Sequence, residues 1–458
     1  MSRLAPYKKP PPAREVAILV SPDHALDTSG RRRRLHGEDR NLVIYSSWDR
    51  VRPYWRSGHG ILVAWAHKKI RWIHPSGAVV HFVPNVPDND EALEAFSAWR
   101  EALAERGASP GSMGASATSL FRATATSVVH PYTRTAPKMV VIGGRIGQNA
   151  PVGAYAGPIV QWDLPAAYAR EIGALRWGGQ WTEHLNAPRA LDQFSEAGMP
   201  VFAHAEITVP RDLHLGPVPR RPRKELTVWR SLLRPLHVDI YPVGKRLRGV
   251  WTWEEIMAAR DVGCGVKVDR IWLHHSSKFP FATWWEEIQA LRALPGYAGF
   301  LGKMMGNAFF GQLIVRDDSK LVYRWIDPDG VHHKEKPQPR TGMRPRHIHA
   351  AEIVTGRVRA NLYTHVLHPA GPAALSWHTD GAWVFGDSEI NPYGWERKAV
   401  AEEMDFIDAM TYVYRPLGGG KPVWICSGVP EQFRNQTFDQ FWGSFTGDWA
   451  RKDRRIKR

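Results

Sequence analysis

Two aspartates and one lysine in this chain have the settings that phosphoryl-transfer chemistry uses. Asp163 ends the apolar run "GPIVQWD" just before a helix-like segment, and Asp380 lies inside "ALSWHTDGAWVFG" between two apolar runs. Lys303, Asn307 and Phe310 are spaced i, i+4, i+7 and so share one helix face. Two-metal phosphoryl transfer needs carboxylates from separate elements that converge on Mg²⁺, and a cation set against the nucleotide phosphates. Lys303 can supply that cation. Tyr168, a helix residue one turn past Asp163, is placed to position a sugar. A structural reading competes at Asp380, because Asp-Gly between apolar runs is by itself a strong hairpin signal.

The elements that must hold these groups are readable as patterns. "EVAILVS", "NLVIYS" and "HGILVAWA" are strand candidates, and "KIRWIHPSGAVVHFV" is a hairpin turning at Pro75-Ser76-Gly77. "DNDEALEAFSAWREALAER" is an amphipathic helix with an acidic start. "GASPGSMGASATS" (107–119) is a small-residue break and a candidate boundary. "KMVVIGGRIG" reads as a strand, a Gly-Gly turn and a basic residue, Arg145. "LPAAYAREIGALRW", "TWEEIMAARDVG", "ATWWEEIQALRAL", "GFLGKMMGNAFFGQLIV" and "HIHAAEIVTGRVRANLYTHVL" are helices, with Pro165 in the first turn of the first. "KLVYRWIDPDGVHHKEK" is a hairpin turning at Asp329-Gly330. The chain shows no internal repeat.

Composition narrows the partners. The 458 residues suffice for two or three domains, and a hydrophobic fraction of 43% marks a globular chain. No apolar run is long enough to cross a membrane, and "MSRLAPYKKPPP" has no apolar core of a secretory signal. The two cysteines, Cys264 and Cys426, fit no metal motif or disulfide framework, so a reducing cytoplasm is the expected compartment. Lys and Arg number 61 against 45 acids, a net charge of +16, with basic clusters at Arg31–Arg34, 220–224, 245–248 and 451–458. Twenty-one tryptophans are interleaved with them. Basic surface attracts phosphate backbones, and exposed aromatics stack on unpaired bases. The alternative places most tryptophans in the core and the arginine runs in solvated loops.

The order, types and spacings of these residues resemble the family B DNA polymerases, the small viral and protein-primed members above all. "DLPAAYA" resembles palm motif A, with Ala169 where the family has proline. "KMMGNAFFG" resembles fingers motif B, K-x-x-x-N-x-x-Y-G, in which Lys303, Asn307 and Gly311 match and Phe310 stands for the tyrosine. "WHTDG" resembles motif C, Y-x-D-T-D, with Asp380 as the second aspartate and His378 at the position of the first. "VIGGR" resembles the template-contact motif Y-x-G-G, with Val141 for the tyrosine and Gly143 and Gly144 kept. "AMTYVYRPLGGGKPVWICSGVP" resembles the primer-strand motif K-x-Y and its following "GVP"; Tyr412 matches and Met410 replaces the lysine. The resemblance covers about residues 115 to 432.

It implies an α+β right-hand fold: an antiparallel palm with helices, helical fingers, a minimal thumb and a small mixed α/β N-terminal domain. The corresponding boundaries are a basic arm at 1–14, the N-terminal domain at 15–110, palm at 115–250 with a basic insertion, fingers at 251–320, palm again at 321–400, and thumb with basic tail at 401–458. The implied activity is template-directed DNA synthesis by two Mg²⁺ ions, or Mn²⁺ in their place, in a viral or mobile-element setting without proofreading. Asp163 and Asp380 bind the metals, with the backbone at Leu164 close by. Lys303 meets the incoming dNTP, Tyr168 packs under its sugar, and Asn307 and Phe310 line its pocket. Gly143, Gly144, Arg145, Gly311, His378 and Tyr412 touch the template and primer. The stretch 220–248 is either an insertion that holds DNA or a terminal protein, or an exposed basic loop.

Two rivals stay open: a non-catalytic nucleic-acid-binding protein on the same fold, and a polymerase that starts without a primer or from a protein. Asp88, Asp90 and Glu91 read as a solvated helix start rather than a nuclease site. The histidines at 274–275, 332–333 and 346–349 lack cysteine partners and read as surface residues rather than zinc ligands. "GGRIG" lacks the order and the acidic partner of a dinucleotide fingerprint.

Overall fold

The computed structural model describes residues 14–35, 42–65, 68–125, 136–137, 145–149, 153–185, 198–220, 241–314, 320–326, 331–334, 338–339, 347–386, 390, 394–408 and 411–426. The polypeptide forms two compact units. One comprises Met1–Ile142, Ala166–Ala203 and Asp269–Thr355; the other comprises Gly143–Pro165, His204–Val268 and Gly356–Arg458. Both mix helices with largely antiparallel sheet, an α+β architecture.

In the first unit the strand Leu42–Ser46 pairs in parallel with Glu15–Ser21 and with Val79–Phe82, while the neighbouring strands run antiparallel. The expected hairpin around 75–77 forms, with Ile73 opposite Val79. Lys320–Ile326 pairs with His332–Lys334, as the second expected hairpin requires; its turn at 327–330 lies outside the described residues. Helix Asn89–Glu105 begins with Asp90 and Glu91 in its first turn, where carboxylates oppose the helix dipole. It buries Phe96, Trp99 and Leu103.

The small-residue stretch 107–119 is not a break. Ser112 caps a helix, Met113–Thr124, by accepting a 3.3 Å bond from the Ala115 amide. Its small residues let it lie close to helix Gly296–Leu313, where Phe121 meets Phe309 at 5.4 Å between ring centroids. A Cβ at Gly302 of that second helix would stand 2.7 Å from the Leu291 backbone carbon, so the glycine permits a helix-on-helix approach that no other residue allows.

The second unit is built on a seven-stranded antiparallel sheet. Its order is Val423–Cys426, Thr411–Pro416, Glu396–Asp408, Gly153–Asp163, Gly381–Phe385, Ala374–Thr379 and Arg145–Gln148. Residue 400, expected as a palm boundary, falls inside the strand Glu396–Asp408. One face buries Ile159, Leu375, Trp383, Met404, Phe406 and Tyr412 in a common cluster. Elsewhere in the unit, Thr252 and Glu255 form a reciprocal capping box at the start of helix Trp253–Asp261. Glu255 also holds Arg359 in a buried ion pair at 2.9 Å. Residues 251–268, expected in the fingers, all lie within this unit.

Candidate active site

Asp163 is the last residue of Gly153–Asp163, the central strand of the seven, and strand register decides what surrounds it. Gly381 lies opposite on one side and Glu396 on the other. His378 in turn lies opposite Gly381. Side chains along a strand alternate between faces, so residues paired in one row share a face. The row therefore reads His378, Gly381, Asp163, Glu396. One step behind it, Trp383 lies opposite Gln161 on the same face. Gly381 has no side chain, and this leaves a notch between His378 and Asp163. A Cβ there would stand 3.2 Å from Asp163 Oδ1 and 3.3 Å from the Trp162 carbonyl.

Asp380 enters from the turn. The two strands pair down to His378 and Gly381, so the connection is only Thr379 and Asp380. The Asp380 amide donates to the His378 carbonyl at 2.8 Å, and Thr379 has φ +55. This is a γ-turn of the rarer positive-φ kind, centred on a β-branched residue. The Thr379 hydroxyl donates to Asp380 Oδ1 at 2.6 Å and fixes the carboxylate. The Leu164 amide donates to the Asp380 carbonyl at 2.8 Å, which ties the turn to the end of the Asp163 strand. The hairpin reading holds, and the same turn brings the Asp380 side chain to the cavity that Asp163 lines. Gly381 is not a turn residue with positive φ; it opens space beside Asp163.

These groups open into a cavity of about 280 Å³ lined by Asp163, His378, Asp380, Trp383, Lys398 and Tyr412 among others. Tyr412 is buried, which raises its hydroxyl pKa, and the charge on Asp163 pushes the same way. Lys398 was not anticipated. Its Nζ lies 3.2 Å from Asp163 Oδ1. The register slips between Arg397 and Ala399, so Lys398 is the extra residue of a β-bulge. A bulge re-aims a side chain, and no sequence pattern in the run "ERKAVAEE" marks it.

Two expected metal positions, Asp163 and Asp380, therefore meet in this unit, with Leu164 hydrogen-bonded beside them. His378 is exposed on the same face. Gly143 and Gly144 lie outside the described residues, as do Val141 and Met410.

Arg145 requires a correction. It is 0% exposed, and its guanidinium donates to the carbonyls of Gly216 at 2.5 Å and Pro217 at 3.2 Å. It stacks 3.8 Å from the ring centre of Tyr241 and 4.8 Å from that of Tyr363. Burial pulls its pKa down to about 10. In this structure Arg145 is a core residue that holds the 216–217 segment, with no surface to offer a nucleic acid.

In the first unit, helix Gly296–Leu313 presents Lys303 and Asn307 exposed on one face, as their spacing predicts. Phe310 is half-buried against Tyr168, with ring centroids 4.7 Å apart. A Cβ at Gly306 would touch Ala169 Cβ at 3.5 Å, and this close approach brings the two aromatic rings together. Gly311 has open space around it. Helix Ala167–Gly173 is shorter than the expected run 164–177, because Ala166 takes a left-handed φ of +52 at its start.

The histidines are also corrected. His274, His347 and His349 are buried, at 2%, 4% and 6% exposure, rather than on the surface. Trp177 stacks on His274 at 4.4 Å and donates to His347 Nδ1 at 3.1 Å. Burial lowers the pKa of both His274 and His347 to about 4, so they are neutral packing groups. Among the described residues no cluster of three or more His, Cys, Asp or Glu could hold a metal, and no helix is long and apolar enough to cross a membrane.

No protein-family model matches the chain, and no curated protein matches it. Among solved structures it is similar to Phi29 DNA polymerase in a ternary complex with primer-template DNA and incoming nucleotide substrates. The TM-score is 0.63 at 10% identity, over 93% of this chain and 95% of that one. Phi29 DNA polymerase with primer-template DNA in a post-translocation binary complex gives a TM-score of 0.59 at 11% identity, over 93% and 95%. The likeness shows a fold distantly similar to that of Phi29 DNA polymerase.

Proposed function

We propose that this chain is a template-directed DNA polymerase that joins the nucleotide of a dNTP to a DNA 3′ end. The observation that carries this reading is the meeting of two carboxylates from separate elements. The amide of Leu164, the residue after Asp163, donates to the Asp380 carbonyl at 2.8 Å at the end of an antiparallel sheet, and both carboxylates line one cavity. The polymerase-like fold and the net charge of +16 support the same class of partner, DNA.

The donor set suits a hard divalent ion. Both groups are anionic oxygens, Asp163 is one-quarter exposed, and both line the open cavity. Asp163 and Asp380 would hold Mg²⁺, two ions in all, with Mn²⁺ as a substitute and the Leu164 backbone alongside. Bound there, the metal supplies Lewis acidity at the phosphate and makes the attacking hydroxyl more acidic.

The remaining roles belong to the chain. The Thr379 hydroxyl holds Asp380 in one orientation, so the carboxylate is preorganised before substrate arrives. The Lys303 ammonium pairs with a triphosphate oxygen. The Tyr168 ring, braced by Phe310, restricts the space at the 2′ position of the sugar. Asn307 and Phe310 line the nucleotide pocket. His378 and Tyr412 face the primer, and Gly143, Gly144 and Gly311 the template. A 3′ hydroxyl of the primer attacks the α-phosphate and pyrophosphate leaves. A lack of proofreading is part of the proposal. Asp27 is committed to Ser29, Arg31 and Arg33, and Asp90 and Glu91 head a helix.

Primer extension on a labelled template with Mg²⁺ or Mn²⁺ tests the reading. Template-dependent extension supports it. DNA binding without extension under either metal overturns it in favour of a non-catalytic nucleic-acid-binding protein. The same assay on unprimed template, with and without a candidate terminal protein, separates the starting modes.

A further inference from the structure

We propose that Lys398 is a resident cation of this site, whose ammonium competes with a divalent ion for the Asp163 carboxylate. The proposal rests on the reading of Asp163 as a metal ligand.

Lys398 is the extra residue at the first of two register shifts in the pairing of its strand with the Asp163 strand. Glu396 lies opposite Asp163, and Lys398, two residues along at the bulge, reaches back so that Nζ stands 3.2 Å from Asp163 Oδ1. The pair is partly exposed, 51% at the lysine and 25% at the aspartate, and such pairs contribute little to folding. Its effect falls on the site's charge. Asp163, Asp380 and Glu396 bring three negative groups to one end of the sheet, and Lys398 offsets one of them.

A Mg²⁺ or Mn²⁺ ion on Asp163 would sit about 2.1 Å from a carboxylate oxygen. An ammonium 3.2 Å from that same oxygen would then face a doubly charged ion at close range, where like charges repel strongly. Lysine is a compact charge on a flexible four-carbon stem, so it can swing away without backbone movement. Lys398 would leave Asp163 when a divalent ion is held there, and it acts as a positioning residue that weakens metal affinity while keeping Asp163 directed into the cavity.

Direct binding of Mn²⁺ to the full chain, read by electron paramagnetic resonance of free Mn²⁺ without nucleotide or DNA, tests this. Lys398→Met should bind Mn²⁺ about 5-fold more tightly than the native chain, the scale of one partly exposed charge pair. Lys398→Arg, which keeps the charge, should stay close to the native affinity. Asp163→Asn should lose the ion, and circular dichroism should show all three variants folded. Unchanged or weaker binding by Lys398→Met, with binding still lost in Asp163→Asn, overturns the role of Lys398 and leaves the polymerase reading standing. Unchanged binding in Asp163→Asn overturns both.

Discussion

The amide of Leu164 donates to the carbonyl of Asp380 at 2.8 Å, so the residue after one candidate metal ligand is bonded to the backbone of the other. Neither the strand that ends at Asp163 nor the turn that carries Asp380 can shift without breaking this bond. The separation of the two carboxylates is thus set by sheet register, which is stiffer than any side-chain contact.

Replacement of either carboxylate should stop synthesis. Asp163→Asn and Asp380→Asn are each expected to abolish primer extension while DNA affinity persists, since an amide cannot replace an anionic ligand for Mg²⁺. His378 should differ. It lies in the same row but is exposed and has no carboxylate to offer, so His378→Ala should keep extension at about one-tenth, the loss of one ~1.4 kcal/mol interaction. Extension assays paired with DNA-binding titrations check both. Equal loss at His378 and Asp380 would give the imidazole an essential role.

The notch at Gly381 should be sensitive to a single methyl group. In Gly381→Ala the new Cβ meets Asp163 Oδ1 at 3.2 Å and must push it aside. The expected result is a drop in extension of about 10-fold or more, the scale of one displaced catalytic group, with an unchanged melting temperature. Near-native activity would mean that the carboxylate relaxes freely.

Arg145 should behave as a core residue. Arg145→Ala leaves the Gly216 and Pro217 carbonyls without their donor and opens a void between Tyr241 and Tyr363. A loss of about 2–4 kcal/mol in urea unfolding is expected. Were Arg145 a contact to DNA phosphate, its removal would instead lower the salt dependence of binding and leave stability alone.

Acid should weaken the first unit. His274 and His347 titrate near 4 when folded, against an ordinary 6.5, so folding favours their neutral form. Their contribution is complete above pH 6.5 and is lost as pH falls from 6.5 toward 4, by up to about 1.4 kcal/mol per pH unit for each ring. Asp405, raised to about 6 by burial, runs the opposite way: its contribution is present below 3.8 and lost as pH rises through 6. His274→Phe should therefore flatten the fall in urea midpoint between pH 7 and 5. An unchanged slope would show that the ring does not titrate on unfolding.

The strand ending at Asp163, the hairpin at 374–385 and the helix carrying Lys303 and Asn307 were legible in the sequence. Each is a long periodic run whose pattern and packing agree. Other features were hidden because their cause is tertiary. A bulge places Lys398, and a bulge has no composition of its own. "GGR" read as a Gly-Gly turn and a DNA-contacting arginine, yet Arg145 is buried because two backbone carbonyls and two tyrosine rings replace its water. Small residues at 107–119 read as a break, although small residues also mark helices that pack closely. The buried histidines lacked any apolar signature, since their cost is met by tertiary partners: Trp177 for His274 and His347, and Trp181, Phe202 and the Pro137 carbonyl for His349. Asp-Gly signalled a turn correctly but misplaced it by one residue.

The γ-turn at Thr379 has an evolutionary consequence. Two residues join the strands, and one of them carries the carboxylate. An inserted residue before it would exchange the buried Trp377 with the exposed His378, and one after it would break the pairing of Gly381 with Asp163. Lineages of this protein should therefore tolerate length variation almost anywhere on its surface except between residues 377 and 381, where only substitutions can accumulate.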